Sequence, residues 1–464
     1  MGNNQKVRYT SIDLLRGIAI TGMILCANIG FNSGLPAWMF HAQTPPPTYA
    51  FNPDVPGITW VDLVFPFFLF AMGAAFPLAM RRRMERGESF MKLTGSLIKR
   101  WVILSAFALV LGNAYGTWAT TLTATQTYMF MITVWLAMFM ALVRIRSAAD
   151  GWRRHLGTAI NLAGATMIAA LAFIRVRYFN VAIDKWSCDV IIMILANVAL
   201  FGGLLWMLTK DNLRLRWLVI SFIAAVKALD SYSPEVLSFV PSFERIGWFF
   251  RSDYLQYLLI ALPGSVIGDM LMKGCQERTV LSPKVIFAGI LAISAVILQL
   301  WGLFAREVAA DFIITATAAA AYLFLTWKEK NLASRIALIG WILLLAGIAF
   351  DPIDGGITKD HCNLSYLFTT GGMAALTTSF LLMLELGFGM KGKFLAGVGQ
   401  NPMNAYTITS FLIGPVLALC GLLPKLDAIS TGSQFWGIGR GIIITGLMMA
   451  GTYLFTRLRI FWKS

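Results

Sequence analysis

Apolar runs of about 17–25 residues, cut by short polar loops, follow one another along almost the whole 464-residue chain. A helix of about 20 residues crosses the ~30 Å hydrocarbon core of a bilayer with its backbone groups bonded internally. The pattern therefore predicts an all-α, polytopic integral membrane helical bundle in a lipid bilayer. The runs lie near 10–30, 58–80, 93–113, 122–143, 156–174, 187–208, 215–231, 253–272, 285–304, 308–327, 332–350, 364–388, 399–421 and 435–457. That is fourteen helices. The seventh is short and carries Lys227 and Asp230; if it and a neighbour fail, twelve remain. Composition agrees, with 58% hydrophobic and 13% charged residues, about half the charge a water-soluble surface needs. A soluble enzyme, a disordered chain and a secreted disulfide scaffold are excluded.

The net charge of +15 would suit nucleic acid, but its placement argues for topology instead. Lys6, Arg8, Arg81, Arg82, Arg83, Arg86, Lys99, Arg100, Arg144, Arg146, Arg153 and Arg154 fall on one side. So do Lys210, Arg214, Arg216, Lys328, Lys330, Arg457, Arg459 and Lys463. Basic loops stay cytoplasmic, so both termini are expected there and no nucleic acid is implied. Arg175, Arg177 and Lys185 are exceptions on the outer side. The first apolar run contains Asp13 and Arg16 and lacks a small-residue cleavage pattern, so no signal peptide is expected. The chain reads as one transmembrane domain, 1–464, without internal repeats. Cys26, Cys188, Cys275, Cys362 and Cys420 are scattered, with neither disulfide nor metal spacing.

Three histidines occur. His155 sits in a basic inner loop, His361 in an outer loop, and His41 in the outer segment 31–57 before Pro45-Pro46-Pro47. An imidazole there can move a proton near neutral pH or accept an acyl group. Charges inside spans are costly. Asp13 and Arg16, three apart, share a helix face and can pair at the inner end of the first span. Asp62 opens the second span, either capping free N–H groups or orienting an imidazole. Asp269 and Glu385 are candidate structural partners. Asn28 ends the first span on the face of His41, and Gly399-Gln400-Asn401-Pro402-Met403-Asn404-Ala405-Tyr406 brings amides and a phenol to the thirteenth. Capping and helix–helix hydrogen bonding are the alternative uses of these groups.

Ser11-Ile12-Asp13-Leu14-Leu15-Arg16-Gly17, then Asn28, His41 and Asp62-Leu63-Val64-Phe65-Pro66-Phe67-Phe68-Leu69-Phe70-Ala71-Met72-Gly73, resemble the opening of the heparan-α-glucosaminide N-acetyltransferase family. The motif-bearing core is 8–113. Weaker similarity continues in Asp253-Tyr254-Leu255, Leu262-Pro263-Gly264 and Gly268-Asp269. It is also seen in Thr358-Lys359, Asn363-Leu364-Ser365-Tyr366, Asn401 with Tyr406, and Ile460-Phe461-Trp462-Lys463. A proline-rich insertion between His41 and Asp62, and Thr125-Gln126-Thr127 in place of the family's Gln-Arg motif, depart from it.

The resemblance implies an enzyme that moves the acetyl group of cytoplasmic acetyl-CoA to an amine or hydroxyl of a glycan or amino sugar on the outer side. It implies His41, Asn28 and Asp62 as catalytic residues. Asp13, Arg16, Arg81, Arg82, Lys99, Arg100, Asn401 and Tyr406 would serve the donor, the basic cluster meeting its phosphates. No metal is expected, a homodimer is allowed, and a bacterial inner membrane is the expected location. The alternative is a multi-helix transporter of a small anionic or glycan-linked substrate, for which inverted repeats would be expected.

Overall fold

The computed structural model describes residues 9–114, 122–145, 151–237, 248–274, 281–329 and 331–462. Lys6, Arg8, Arg146, Cys275, Lys330 and Lys463 lie outside the described residues. The first half holds α1 (Thr10–Asn28), α2 (Val64–Glu85), α3 (Phe90–Ala114), α4 (Ala124–Leu142), α5 (Gly151–Tyr178), α6 (Val190–Thr209), α7 (Leu213–Tyr232) and α8 (Leu258–Lys273). The second holds α9 (Pro283–Ala305), α10 (Val308–Thr326), α11 (Leu332–Phe350), α12 (Leu364–Phe388), α13 (Lys393–Gly399), α14 (Pro402–Ile408), α15 (Gly414–Leu419), α16 (Leu422–Ser430) and α17 (Gln434–Arg457). The chain is a polytopic helical membrane bundle, as its apolar runs predict.

Helix starts follow the side chains that can satisfy free N–H groups. Asp189, Asn212, Ser282, Asn331, Asn363 and Ser433 each cap the helix that follows. The N-terminus of α1 is capped from a distance. Glu385 of α12, buried, accepts Thr10 N at 2.7 Å and Ser11 N at 2.8 Å. A carboxylate at a helix N-terminus meets both the free donors and the positive end of the dipole.

Close backbone approach builds the centre. A Cβ on Gly73 of α2 would lie 1.9 Å from Ala261 O of α8, and one on Gly264 would lie 2.3 Å from Phe70 O. Small residues at such seams let helices touch where no hydrophobic effect drives them together. The periphery is apolar and exposed, with Trp301 and Ile297 of α9 and Phe324 of α10 turned outward. In a bilayer those groups meet acyl chains.

Thirteen described helical segments are long and apolar enough to cross a membrane. α7 is not among them, because Arg214, Arg216, Lys227 and Asp230 lower its hydropathy. Its end contacts show that it nevertheless runs the full depth of the bundle. Arg216, near its start, bonds Asp269 at the end of α8. Tyr232, its last residue, donates to Asp354 in the α11–α12 loop. Strands β1 (Val143–Ile145) and β2 (Ile460–Trp462) pair antiparallel, which puts the ends of α4 and α17 on one face. An even number of crossings between them requires α7.

The outlying cation Arg175 has a structural use: buried, it donates to Asn113 O at the end of α3. The expected span 399–421 is broken into α14, a π turn Thr409–Ile413 and α15. Pro415 has no N–H for Phe411, and the wider turn avoids the clash.

Cysteines introduced as Arg214→Cys and Ser231→Cys, in a cysteine-free background, should react with an impermeant thiol reagent from opposite faces of sealed vesicles. Labelling of both from one face would exclude a crossing α7. Glu385→Ala should leave two buried N–H donors unpaired. The expected loss is about 1–3 kcal/mol, read from denaturant unfolding in neutral detergent.

Candidate functional site

The segment between α1 and α2 is an ordered loop, as its prolines and turn residues require. Phe31, Phe40 and Tyr49 form an aromatic cluster with ring centroids 5.0–5.4 Å apart. Gln43 is almost fully buried; its Nε2 donates to Val55 O at 2.9 Å and Gly57 O at 3.2 Å, and its backbone O accepts Asn52 N at 2.9 Å. Thr59 Oγ1 donates to Phe40 O at 2.8 Å, fixing the residue before His41.

Thr59 also starts a capping box. Asp62 Oδ2 accepts Thr59 N at 2.9 Å, while Thr59 Oγ1 accepts Val61 N at 3.3 Å. The other oxygen, Oδ1, lies 2.5 Å from His41 Nδ1. Asp62 thus caps the helix with one oxygen and contacts the imidazole with the other. Its side chain is 0% exposed, against 36% for His41. A buried carboxylate with two such bonds holds the imidazole's proton on Nδ1 and leaves Nε2 with its lone pair. His41 lines a cavity of about 200 Å³ walled by Ala37, Ala42, Pro45, Val55, Pro56 and Phe304.

The third member of the cluster comes from 318 residues further along the chain. Lys359 Nζ is 3.8 Å from Asp62 Oδ1 and 3.3 Å from His41 Nδ1. With the Nδ1 proton directed at Asp62, the ammonium pairs with the carboxylate. Lys359 is carried by the α11–α12 loop, which is organised around buried Asp351. Arg306 bonds both Asp351 oxygens at 2.8 Å, and Ile357 N donates to Oδ2 at 2.7 Å. Asn363 Nδ2 donates to Gly356 O at 2.7 Å. The loop is tied to the His41 segment by Gly57 N donating to Ile357 O at 2.8 Å. Tyr366 Oη donates to Asp62 O at 2.9 Å. Gly356 has φ +114°, and a Cβ there would lie 2.6 Å from Pro56 Cβ. Only glycine fits that junction.

Asn28 stands at the end of α1, where its Nδ2 donates to Ile24 O at 2.7 Å. Among the described residues no hydrogen bond joins it to His41. His361 is largely exposed and pairs with Asp54 at 2.8 Å. His155 is exposed.

The residues proposed for a donor separate into groups. Asp13 and Arg16 pair at 3.6 Å, and Arg16 reaches Gly399 O at 3.3 Å. Arg100 and Tyr406 line one internal cavity of about 70 Å³, with Met23, Phe65, Met72 and Met403 among its walls. Arg100 Nε is buried there without a hydrogen-bond partner. Tyr406 donates to Asp189 at 2.8 Å. Burial raises the Asp189 carboxyl above its ordinary range, opposed by the Ile192 N–H and the Tyr406 hydroxyl. Asn401 takes part differently: its amide accepts Trp462 N at 3.1 Å and donates to Ile460 O at 3.0 Å, clamping β2. Arg81 lies on the opposite side of α2, 3.5 Å from Asp269. Arg82 is half-buried and Lys99 exposed. Among the described residues, no group of three or more His, Cys, Asp and Glu could hold a metal.

Fold and site define a polytopic helical membrane protein with a His–Asp–Lys cluster between two ordered loops at one end of the bundle. The family model described as "Domain of unknown function (DUF5009)" matches residues 8–271, more than half of the chain, and the chain belongs to that family. It is also similar to the heparan-alpha-glucosaminide N-acetyltransferases of Homo sapiens and Mus musculus. Each is 32% identical over 106 residues, 23% of this chain and 14% of the relative. The chain thus matches a small part of those longer proteins.

Gly356→Ala should strain a left-handed backbone and push the two loops apart. The expected cost is about 1–3 kcal/mol, seen as a lower midpoint of thermal unfolding. An unchanged midpoint would mean that the loops do not lean on one another there.

Proposed function

We propose that this protein is a membrane acetyltransferase that carries an acetyl group from acetyl-CoA at its basic face to an amine or hydroxyl of an amino sugar at the opposite face. The His41–Asp62 pair carries the reading, and the similarity to the two acetyltransferases supports it. By the charge rule for membrane loops, the basic face is cytoplasmic. That orientation puts His41 outside and suits an anionic donor inside.

His41 Nε2 is the reactive atom. In the covalent route it attacks the thioester carbonyl, the C–S bond breaks, and CoA leaves as thiolate that takes up a proton. The acceptor then attacks the acetyl-imidazole, giving up its own proton as the amide or ester forms. In the direct route Nε2 removes the acceptor's proton during attack on the thioester. Asp62 holds the tautomer and stabilises the imidazolium in either route, while Lys359 offsets the charge of the buried carboxylate. Asn28 is the proposed oxyanion donor: Ile24 O takes one of its amide hydrogens, leaving the second.

The donor approaches along the α1–α3–α6–α14 side of α2. The 70 Å³ cavity has room for the acyl end, its walls are apolar, and Arg100 and nearby Arg16 give positive charge for the anionic remainder. The seam between α2 and α8 is close-packed at glycines, and Arg81, on the other side of α2, is left out of this route.

Protein reconstituted in sealed vesicles should transfer radiolabelled acetyl from external acetyl-CoA to hexosamine trapped on the other side. His41→Ala should lower that rate by about 10²–10⁴ with unchanged thermal unfolding, and Asp62→Asn should also lower it. Acid quenching during turnover distinguishes the routes, since only the covalent one leaves acetyl on His41. Full activity in folded His41→Ala would reject the assignment. Solute flux without acetyl-CoA consumption would favour a transporter.

A further inference from the structure

A cavity of about 720 Å³ opens at the basic face between α2, α7, α8, α11 and α12. The tight α2–α8 seam separates it from the proposed donor route, and the acetyl-transfer reading does not use it. Its floor is ionic. Arg216, 1% exposed, bonds Asp269 at 2.6 Å and Thr209 at 3.1 Å, and Trp206 Nε1 donates to Asp269 at 3.2 Å. One wall is apolar, formed by Val266, Met270, Leu332 and Met383.

The charges lining the cavity do not cancel. Its carboxylates, Asp211, Asp269 and Glu329, face Arg81, Lys210, Arg216, Lys273 and Arg335, a surplus of two positive charges. Every acid already has a partner within the protein. Asp269 has Arg216 and Arg81, Asp211 has Lys210 and Arg81, and Glu329 accepts Ser282 Oγ at 2.8 Å. The exposed side chains of Lys273 and Arg335 make no hydrogen bond or salt bridge among the described residues, Lys273 acting on Asp211 only through space, and both line this cavity. Two cations with no salt-bridged acid, over a roomy polar floor and beside an apolar wall, complement a phosphate group.

We propose that this cavity binds a phosphate monoester or diester, with Lys273 and Arg335 as its main contacts. A phospholipid headgroup from the adjoining leaflet and a soluble phosphate ester share that chemistry, and they differ in whether the apolar wall is used.

The test measures the thermal unfolding midpoint of the full chain in neutral detergent. It is titrated with short-chain phosphatidylglycerol, with phosphatidylcholine as the zwitterionic control, and with glycerol phosphate alone. Phosphatidylglycerol should stabilise saturably and more than phosphatidylcholine. Equal stabilisation by glycerol phosphate would assign the site to soluble esters; none would assign it to lipid. Either result supports a phosphate site, provided the Lys273→Gln/Arg335→Gln double variant weakens the effect. About fivefold per charge, on the order of twentyfold for both, is expected. Lys92→Gln, exposed elsewhere on the basic face, should leave the titration unchanged. Glu329→Gln keeps an acceptor for Ser282, removes one negative charge and should tighten binding several-fold, which tests the site even if the double variant does not fold. No stabilisation by either phosphate probe, or titrations that ignore both sets of substitutions, would overturn the proposal. Acetyl transfer is not read in any arm, so the two assignments fail independently.

Discussion

A carboxylate with no exposure to solvent has to be satisfied at both oxygens, and Asp62 is satisfied by two different parts of the chain. Oδ2 closes the capping box that starts the second span; Oδ1 holds His41. The same side chain therefore fixes where α2 begins and how the imidazole is turned. The rest of that end of the bundle is arranged around it. The aromatic cluster and Gln43 stiffen the loop that delivers His41, and Asp351 with Arg306 stiffens the loop that delivers Lys359. Removing Arg306 leaves the buried Asp351 carboxylate uncompensated, which is costlier than losing a surface pair.

Two features of the first 62 residues locate this end of the molecule: a histidine in a proline-bearing outer loop, and an acid opening the next apolar run. Thr358-Lys359 belongs to a motif in the sequence, but nothing in that motif marks Lys359 as a partner of His41. Nothing in local spacing tells that a loop after the eleventh apolar run folds back onto the first. The same holds for Glu385, whose two bonds to α1 span more than 370 residues. Periodicity and capping rules read neighbours along the chain; contacts made by helix packing need the bundle itself. Conversely, Asn401 stood out in the sequence as a polar group at a helix start, and its amide is occupied by β2, three residues of strand that no periodic pattern announces.

α7 marks the same boundary from the other side. Its hydropathy is low because it carries Arg216, and Arg216 is tolerated because Asp269, Thr209 and Ser265 surround it. A hydropathy rule prices each charge as if it faced lipid. Inside a bundle the partner decides, and the parity of crossings is the better guide.

The positive charge of the chain divides by what each cation touches. Arg83 is bonded to Glu88 and Ser96, Arg175 to a helix-end carbonyl, Arg306 to Asp351, and Arg440 to Asp427 and Asn28 O. These cations hold the fold together, and topology alone accounts for their place on the loops and helix ends. Arg100, Lys273 and Arg335 are different, for they border cavities and none shows a hydrogen bond or ion pair among the described residues. An excess of basic residues at one face says which side is inside; it does not say which of them meet a ligand. Among the cations that line the two cavities on either side of α2, only Arg100 on one side and Lys273 and Arg335 on the other lack a side-chain partner among the described residues.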